Sequence, residues 1–370
     1  MKYVRMPIER ESPEEFGYGR IENNLSESSI GDLSLSQLDI DLSDLTLFYG
    51  SHRGDNRLRE LIAQASAVSP DEVLVTAGAA GALFMVATAL LEPHDHLVVV
   101  RPNYATNIAT PQAIGCAISF VDLQFSSGFR LDVDALALAI RPNTRLISVT
   151  CPHNPTGTSM PVADLHRLVA LAERHGCRLL VDETYRDMSY GTPLPTAASL
   201  SPHAISVSSM SKSYGVPGIR VGWVITRDPV LYESLLAGKE QIGICGSVID
   251  EAIATHVLER REQLLSGTLA RIGQRLAIMR EWIAGDPLVE WVEPAGGVVC
   301  LPHLTGLAGR DMDGFHRRLL ADYGTYVGPG HWFDMPPQFI RIGFDWPTQR
   351  QLQRGLAGIS GALRAELAAI

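Results

Sequence analysis

From about residue 56 the chain alternates helical patterns with short β-branched runs, and this alternation limits its fold more than any other feature. NRLRELIAQAS reads as a helix and EVLVT as a strand. GALFMVATALL is a helix, and HLVVV and CAISFVD are strands. LDVDALALAI is helical, RLISVT is a strand, and VADLHRLVALAERHG is a helix with leucines at helical spacing. The strands CRLLVD, HAISVSS and RVGWVIT follow. These runs lack polar alternation, as expected for a parallel sheet covered on both faces. The pattern predicts an α/β fold with a doubly wound sheet.

The pattern changes near residue 230. A long helical region runs to about 285, followed by LVEWVE, GVVCLP, a helix near 312–323, TYVG, FIRIGF and a final helix. That order predicts a smaller α+β domain. Residues 1–45 are polar and irregular, as in an arm that packs on the smaller domain or on a partner subunit. The expected organisation is thus an arm over 1–45, a large domain over 46–255 and a small domain over 256–370. No internal repeat or low-complexity linker interrupts it.

A chain of 370 residues with 46% hydrophobic content can bury a sizeable core. Its net charge of −10 argues against nonspecific binding to nucleic acid or anionic membranes. The opening stretch MKYVRMPIERESPEEFGYGR is charged and lacks the apolar centre of a signal peptide. No apolar run reaches the roughly 18–20 residues of a membrane span. The five cysteines, at 116, 151, 177, 245 and 300, are scattered, which predicts reduced thiols in a cytoplasm.

Ligands of open α/β sheets sit at the carboxyl ends of the strands. EVLVT is followed by Ala77-Gly78-Ala79-Ala80-Gly81, opening a helix, and RLISVT by Cys151-Pro152-His153-Asn154-Pro155-Thr156-Gly157. CRLLV delivers Asp182-Glu183-Thr184-Tyr185, and HAISV delivers Ser208-Ser209-Met210-Ser211-Lys212. Four strand ends with small, polar or ionisable residues converge on one site.

Asn154-Pro155-Thr156-Gly157, Asp182-Glu183-Thr184-Tyr185, the run from Ser209 through Lys212 to Arg220, and Arg341-Ile342-Gly343-Phe344 together resemble the class I/II (fold type I) aminotransferases. Tyr49-Gly50, Pro102-Asn103-Tyr104, Pro294-Ala295-Gly296-Gly297 and Gly328-Pro329-Gly330 add weaker matches. The resemblance spans residues 49–343. It implies a fold type I transferase with a large, mostly parallel doubly wound sheet domain and a smaller α+β domain. It also implies pyridoxal 5'-phosphate (PLP) as the cofactor.

By the same resemblance, Lys212 holds the cofactor as a Schiff base and then serves as general base. Asp182 sits at the pyridine nitrogen and keeps the ring protonated. Tyr185 and Asn154 bind the ring's phenolate oxygen. The phosphate falls to Ser209, Arg220 and the main chain of Gly78-Ala79-Ala80 at a helix start. The family often has Ser or Thr at 79–80, so this chain's alanines leave only backbone contacts there. Tyr104 stacks on the ring, and Tyr49 reaches the phosphate of a neighbouring subunit, which implies a homodimer with shared sites. Arg341, with Asn154 beside it, clamps the substrate α-carboxylate.

Each assignment has a plainer alternative: a solvated lysine, an Asp helix cap, a turn at Asn-Pro, close packing at Gly78. The joint pattern outweighs them. His94 with His96, and His175 with Cys177, lack further ligands at metal spacing, so no metal is expected. His153 receives no role, Glu183 a structural one, and the charges at 257–280 a solvated helix face.

The expected function is transfer of an amino group from an amino acid to a 2-oxo acid by ping-pong chemistry. A lyase or cyclase is the alternative, because the carbanion formed at Cα can also eliminate or be captured internally. Asn24-Leu25-Ser26-Glu27-Ser28 and Phe48-Tyr49-Gly50 resemble aminotransferase-like enzymes of natural-product pathways, the capreomycidine-synthase type among them. A nucleotide-dependent reductase fits poorly: Thr76–Gly81 lacks a full G-x-G-x-x-G, and HLVVV ends in Arg101 rather than an acid. A non-catalytic regulator fits poorly too, since the catalytic set is complete. The donor is not legible, and Leu25 and Ile30 either touch substrate or pack.

Overall fold

A computed structural model describes residues 1–307 and 309–368. The strands from the amino end are β1 (Asn23–Asn24), β2 (Val73–Ala77), β3 (His96–Arg101), β4 (Ala117–Asp122), β5 (Thr144–Thr150), β6 (Arg178–Asp182), β7 (Ala204–Ser209) and β8 (Val221–Thr226). Seven of them form one sheet in the order β2-β8-β7-β6-β5-β3-β4. The β3–β4, β3–β5, β5–β6 and β6–β7 pairs are parallel, whereas β8 runs antiparallel to both β2 and β7. The expected mostly parallel sheet is therefore present, with RVGWVIT as its reversed strand.

Alternate residues of the strands feed two cores. Val98, Val100, Ile147, Val149, Leu179 and Val181 face one side, with Leu165 and Leu168 of the helix Val162–His175. Leu97, Val99, Leu146, Leu180, Ile205 and Val207 face the other, with Leu83 and Val86 of the helix Gly78–Leu90. Burial on both faces explains why these strands read as unbroken apolar runs.

A third core gathers Ile272, Phe315, Leu319, Ile340, Ile342, Phe344, Leu356 and Ile359 around the antiparallel strand Ile340–Gly343. Leu25 and Ile30 of the arm belong to it. The arm is thus more ordered than its composition suggests. It makes helical turns at Pro7–Arg10 and Pro13–Phe16, each entered by a proline, whose fixed φ suits a first helical position. β1 then pairs in parallel with Thr325–Tyr326.

The helical region after 228 divides into Pro229–Gly243, Val248–Glu259 and Arg261–Gly285. Ile244 breaks the first junction at φ 63°, a left-handed conformation foreign to a helix. The 25-residue third helix carries Leu264 and Leu265 against the core under β2 and β8, and Ile272 and Met279 against the third core. No described helix is long and apolar enough to cross a membrane.

Candidate active site

The carboxyl ends of β2, β5, β6 and β7 open on one edge of the sheet. The reversed β8 adds its beginning to that edge, because Val221 pairs with Ala77 and Gly222 with Ser209. Arg220, immediately before β8, is thereby set beside Gly78 and Ser209. A cavity of about 510 Å³ lies there, lined by Ala79, Ala80, Tyr104, Asn154, Asp182, Tyr185, Ser209, Lys212, Arg220 and Arg341. Ten of the expected site residues are thus brought together. Gly78 packs directly behind the guanidinium of Arg220. Tyr49 lies outside the cavity and is 79% exposed.

The cradle at the helix start depends on two close approaches. Gly78 sits at φ +71°, and a Cβ there would lie 2.5 Å from Arg220 Nη2. Gly222 lets the Gly78–Ala79 backbone rest on β8, since a Cβ on it would lie 2.6 Å from Ala79 N. Arg220 Nη1 donates to Ser211 Oγ at 3.3 Å and to the Pro217 carbonyl at 2.8 Å. Free amides of a 13-residue helix, two serine hydroxyls and a guanidinium therefore share one corner, the chemistry that holds a phosphate. Gly78→Ala should strain the turn and displace Arg220. We expect PLP affinity of the apo-protein to fall about 10- to 100-fold, from about 1–2 kcal/mol of left-handed backbone cost plus a weakened charged contact. A titration showing unaltered affinity would contradict this cradle.

Asp182 is buried at the end of β6. Its Oδ1 accepts from Thr184 N at 3.1 Å and Thr184 Oγ1 at 2.6 Å. Burial raises its pKa against those hydrogen bonds and the nearby Lys212. A protonated pyridine nitrogen would supply the counter-charge that burial lacks. Burial lowers the pKa of Lys212, with Glu27 opposing and Arg341 assisting. The neutral amine, the form that attacks a carbonyl carbon and accepts a proton, is thereby favoured.

Arg341 is 3% exposed on the strand Ile340–Gly343. Nη1 donates to Asn154 Oδ1 at 3.2 Å and Nη2 to the Ser26 carbonyl at 2.6 Å. Its plane lies near the rings of Phe333 and Trp332, 5.0 and 5.7 Å away. Nε has no partner among the described residues. A buried, incompletely satisfied guanidinium lining a cavity calls for an anion.

Tyr185 is buried, and its hydroxyl donates to the Ser28 carbonyl at 2.8 Å. Burial pushes its pKa up to about 12. A phenol carries one proton, so this donation competes with the expected one to a ring oxygen. Tyr104 is likewise pushed up to about 12 by burial and by Glu9, whose Oε1 accepts from its hydroxyl at 3.4 Å.

Sequence reasoning missed the arm's share of the lining: Glu9, Glu14, Tyr18, Ser26, Glu27 and Ser28. The available signals were the density of glutamates before residue 16 and the stretch Asn24-Leu25-Ser26-Glu27-Ser28. Leu25 and Ile30 pack instead of touching the cavity. His153 is buried off the cavity, with Nδ1 2.8 Å from Thr156 Oγ1.

Glu183 does have a structural environment. Its Oε1 accepts from Ala197 N at 2.7 Å and Ser206 Oγ at 2.8 Å, and burial raises its pKa to about 7. A raised folded pKa gives stability that is complete below the unfolded value of about 4.3 and is lost as pH rises through about 7. Glu183→Gln keeps both acceptor bonds without the charge. It should stabilise the protein by about 1–3 kcal/mol at about pH 8.5 and hardly at all near pH 4, read from denaturant melts.

A chain of this fold with a lysine, a carboxylate and an arginine at these strand ends belongs to a known class. The aminotransferase class I and II family profile matches residues 30–359, and the chain belongs to that family of PLP-dependent enzymes. It is 30% identical over 326 residues to capreomycidine synthase of Streptomyces vinaceus, covering 87% of this chain and 82% of that one. It is 32% identical over 301 residues to arginine–pyruvate transaminase of Pseudomonas aeruginosa, covering 77% and 74%. Among solved structures, a PLP-dependent aminotransferase from Streptococcus suis superposes over 99% of both chains with a TM-score of 0.91 and 29% identity. The PLP-dependent cyclase OrfR superposes over 99% and 98% with a TM-score of 0.88 and 26% identity.

Proposed function

We propose that the enzyme moves an amino group between an amino acid and a 2-oxo acid, with Lys212 carrying the proton. The carrying observation is that Lys212, Asp182 and Arg341 line one cavity although they are far apart in sequence. In this reading Gly78, Ala79, Ala80, Ser209 and Arg220 hold the phosphate of PLP, Asp182 the ring nitrogen, and Tyr185 and Asn154 the phenolate oxygen. Tyr104 lies against the ring. When bound, PLP supplies an electron sink for the charge that develops at the substrate Cα.

The protein's own groups do the rest. Arg341 fixes the α-carboxylate and so fixes which Cα–H bond faces Lys212. Lys212, favoured as the neutral amine, takes the Cα proton and returns it on the cofactor side. In single turnover without acceptor, one equivalent of 2-oxo acid per site is expected, and a second 2-oxo acid should then yield its amino acid.

A second reading is favoured by the likeness to capreomycidine synthase over 87% of the chain and to the cyclase structure. The same proton abstraction would then end in cyclisation or elimination. Ammonia released along with the 2-oxo acid, or a cyclic product, would decide for it.

We further read the enzyme as a cytoplasmic homodimer with an arm over 1–45, a large domain over 46–255 and a small one over 256–370. All five cysteines are free, which suits a reducing compartment. Leu47, Phe48 and Tyr49 form an exposed apolar run. An apolar cavity of about 440 Å³ beside β2 is lined by Phe84, Met85, Ile219 and Ile242, and Arg220 lines both this cavity and the active site. A partner's apolar run seated there would bring its Tyr49 toward the phosphate cradle. Sedimentation across a dilution series tests the dimer.

A further inference from the structure

The arm places Glu9, Glu14 and Glu27 on the wall of the active-site cavity. Their neighbours Glu15 and Glu11 are engaged elsewhere. Glu15 pairs with Arg5 at 3.1 Å, and Glu11 accepts from His331 at 2.7 Å and from Trp332 Nε1 at 2.8 Å. Among the described residues, none of Glu9, Glu14 and Glu27 pairs with an arginine or lysine within 4 Å. Glu27 is half-buried, and its Oε1 accepts from Tyr18 OH at 3.1 Å and Asn24 Nδ2 at 3.4 Å. Burial raises its pKa, and Lys212 is the first group to oppose that rise.

The charges of the cavity can be matched to ligands one by one. Arg220 takes the phosphate, Asp182 the ring nitrogen, Arg341 the α-carboxylate, and Lys212 gives its amine to the cofactor. That leaves three carboxylates without an arginine or lysine partner, Glu27 half-buried in the wall and Glu9 and Glu14 exposed beside it. Independently, the buried Arg341 and its unpartnered Nε mark the same cavity as built for an anionic ligand group. A ligand held there by its carboxylate extends into a wall that is acidic. Carboxylates left facing a covered substrate are costly unless the substrate itself brings positive charge.

We infer that the amino donor carries a cationic side chain, a guanidinium or a primary ammonium, bound by Glu9, Glu14 and Glu27. This rests on the aminotransferase reading for the placement of the α-carboxylate on Arg341. Tyr18, stacked on Trp346 at 5.9 Å, holds Glu27 in place. A donor with a second carboxylate meets like charge and is rejected.

The test uses the PLP-loaded full chain. Single-turnover kcat/KM is measured for arginine, lysine, ornithine, methionine and glutamate, and repeated in Glu27→Gln, Glu14→Gln and Glu9→Gln. Basic donors should exceed methionine by at least about tenfold, with glutamate slowest, since one charge-assisted hydrogen bond contributes about 1.5–3 kcal/mol. Glu27→Gln should lower the basic-to-methionine ratio about 10- to 100-fold, through KM rather than kcat. A binding readout stands beside turnover: calorimetric titration of the loaded Lys212→Ala protein with arginine and with norleucine. Arginine should bind more tightly, and Glu27→Gln should erase the difference. Arginine against lysine separates guanidinium from ammonium. Conversion of methionine or glutamate as fast as arginine overturns the inference and leaves the aminotransferase reading standing, as does an equal loss for all donors in Glu27→Gln. If no donor is converted, the aminotransferase reading falls and the titration still decides the inference.

Discussion

Lys212→Ala should lose at least about 10⁴-fold in kcat, the upper range for a positioned proton carrier, with the nucleophile lost as well. The folded protein should remain, because among the described residues its side chain makes no hydrogen bond and only its carbonyl is used, accepting from Ile30 N at 3.2 Å. PLP should still bind through Gly78, Ser209 and Arg220. The visible band of the lysine-bound cofactor should be gone, and small primary amines should restore part of the turnover. Absorbance spectra, dialysis against PLP and single-turnover assays check each point. A variant that kept both the band and the turnover would remove Lys212 from the mechanism.

The second large effect is expected at Arg341. Two charge-assisted hydrogen bonds to a carboxylate contribute about 3–6 kcal/mol together, so Arg341→Ala should lower kcat/KM about 10²- to 10⁴-fold. Arg341→Lys retains the charge but not the fork, and should recover only part of the loss. The clean readout compares a donor amino acid with the amine that lacks its carboxylate. The wild type should favour the acid strongly, and the variant should lose that preference. If both variants discriminated as the wild type does, Arg341 would be a packing residue. Some stability should also go, because Asn154 and the Ser26 carbonyl lose their donor. Thermal melts separate that contribution from the catalytic one.

Much of this centre was legible in the sequence because its residues sit at the ends of apolar runs. Asp182 ends a strand, and Asn154 and Lys212 each follow one by a few positions, so local pattern locates them. The reversal of β8 was not legible: VGWVIT is buried throughout, and a run buried on both faces carries no mark of direction. That reversal is nevertheless why Arg220 stands beside Gly78. The helix Thr106–Ile114 escaped because Pro111 lies inside it. The arm's contribution escaped for another reason. Tyr185 meets Ser28 across 157 residues and Arg341 meets Ser26 across 315, and no periodicity reports such contacts.

The parallel pairing of Asn23 with Thr325 and Asn24 with Tyr326, sealed by Gly343 N donating to the Leu25 carbonyl at 2.7 Å, has a consequence for biogenesis. The arm leaves the ribosome well before the segments it pairs with. At about 5–20 residues per second, some 300 residues of synthesis impose a wait of about 15–60 s. The sheet from β2 to β8 is complete in sequence by Thr226 and can assemble on the nascent chain. The cavity cannot, because the arm that lines it and Arg341 that also lines it are separated by some 300 residues of synthesis. Through that interval Leu25 and Ile30 have no core to enter, so a half-made chain exposes these two apolar side chains within a polar arm.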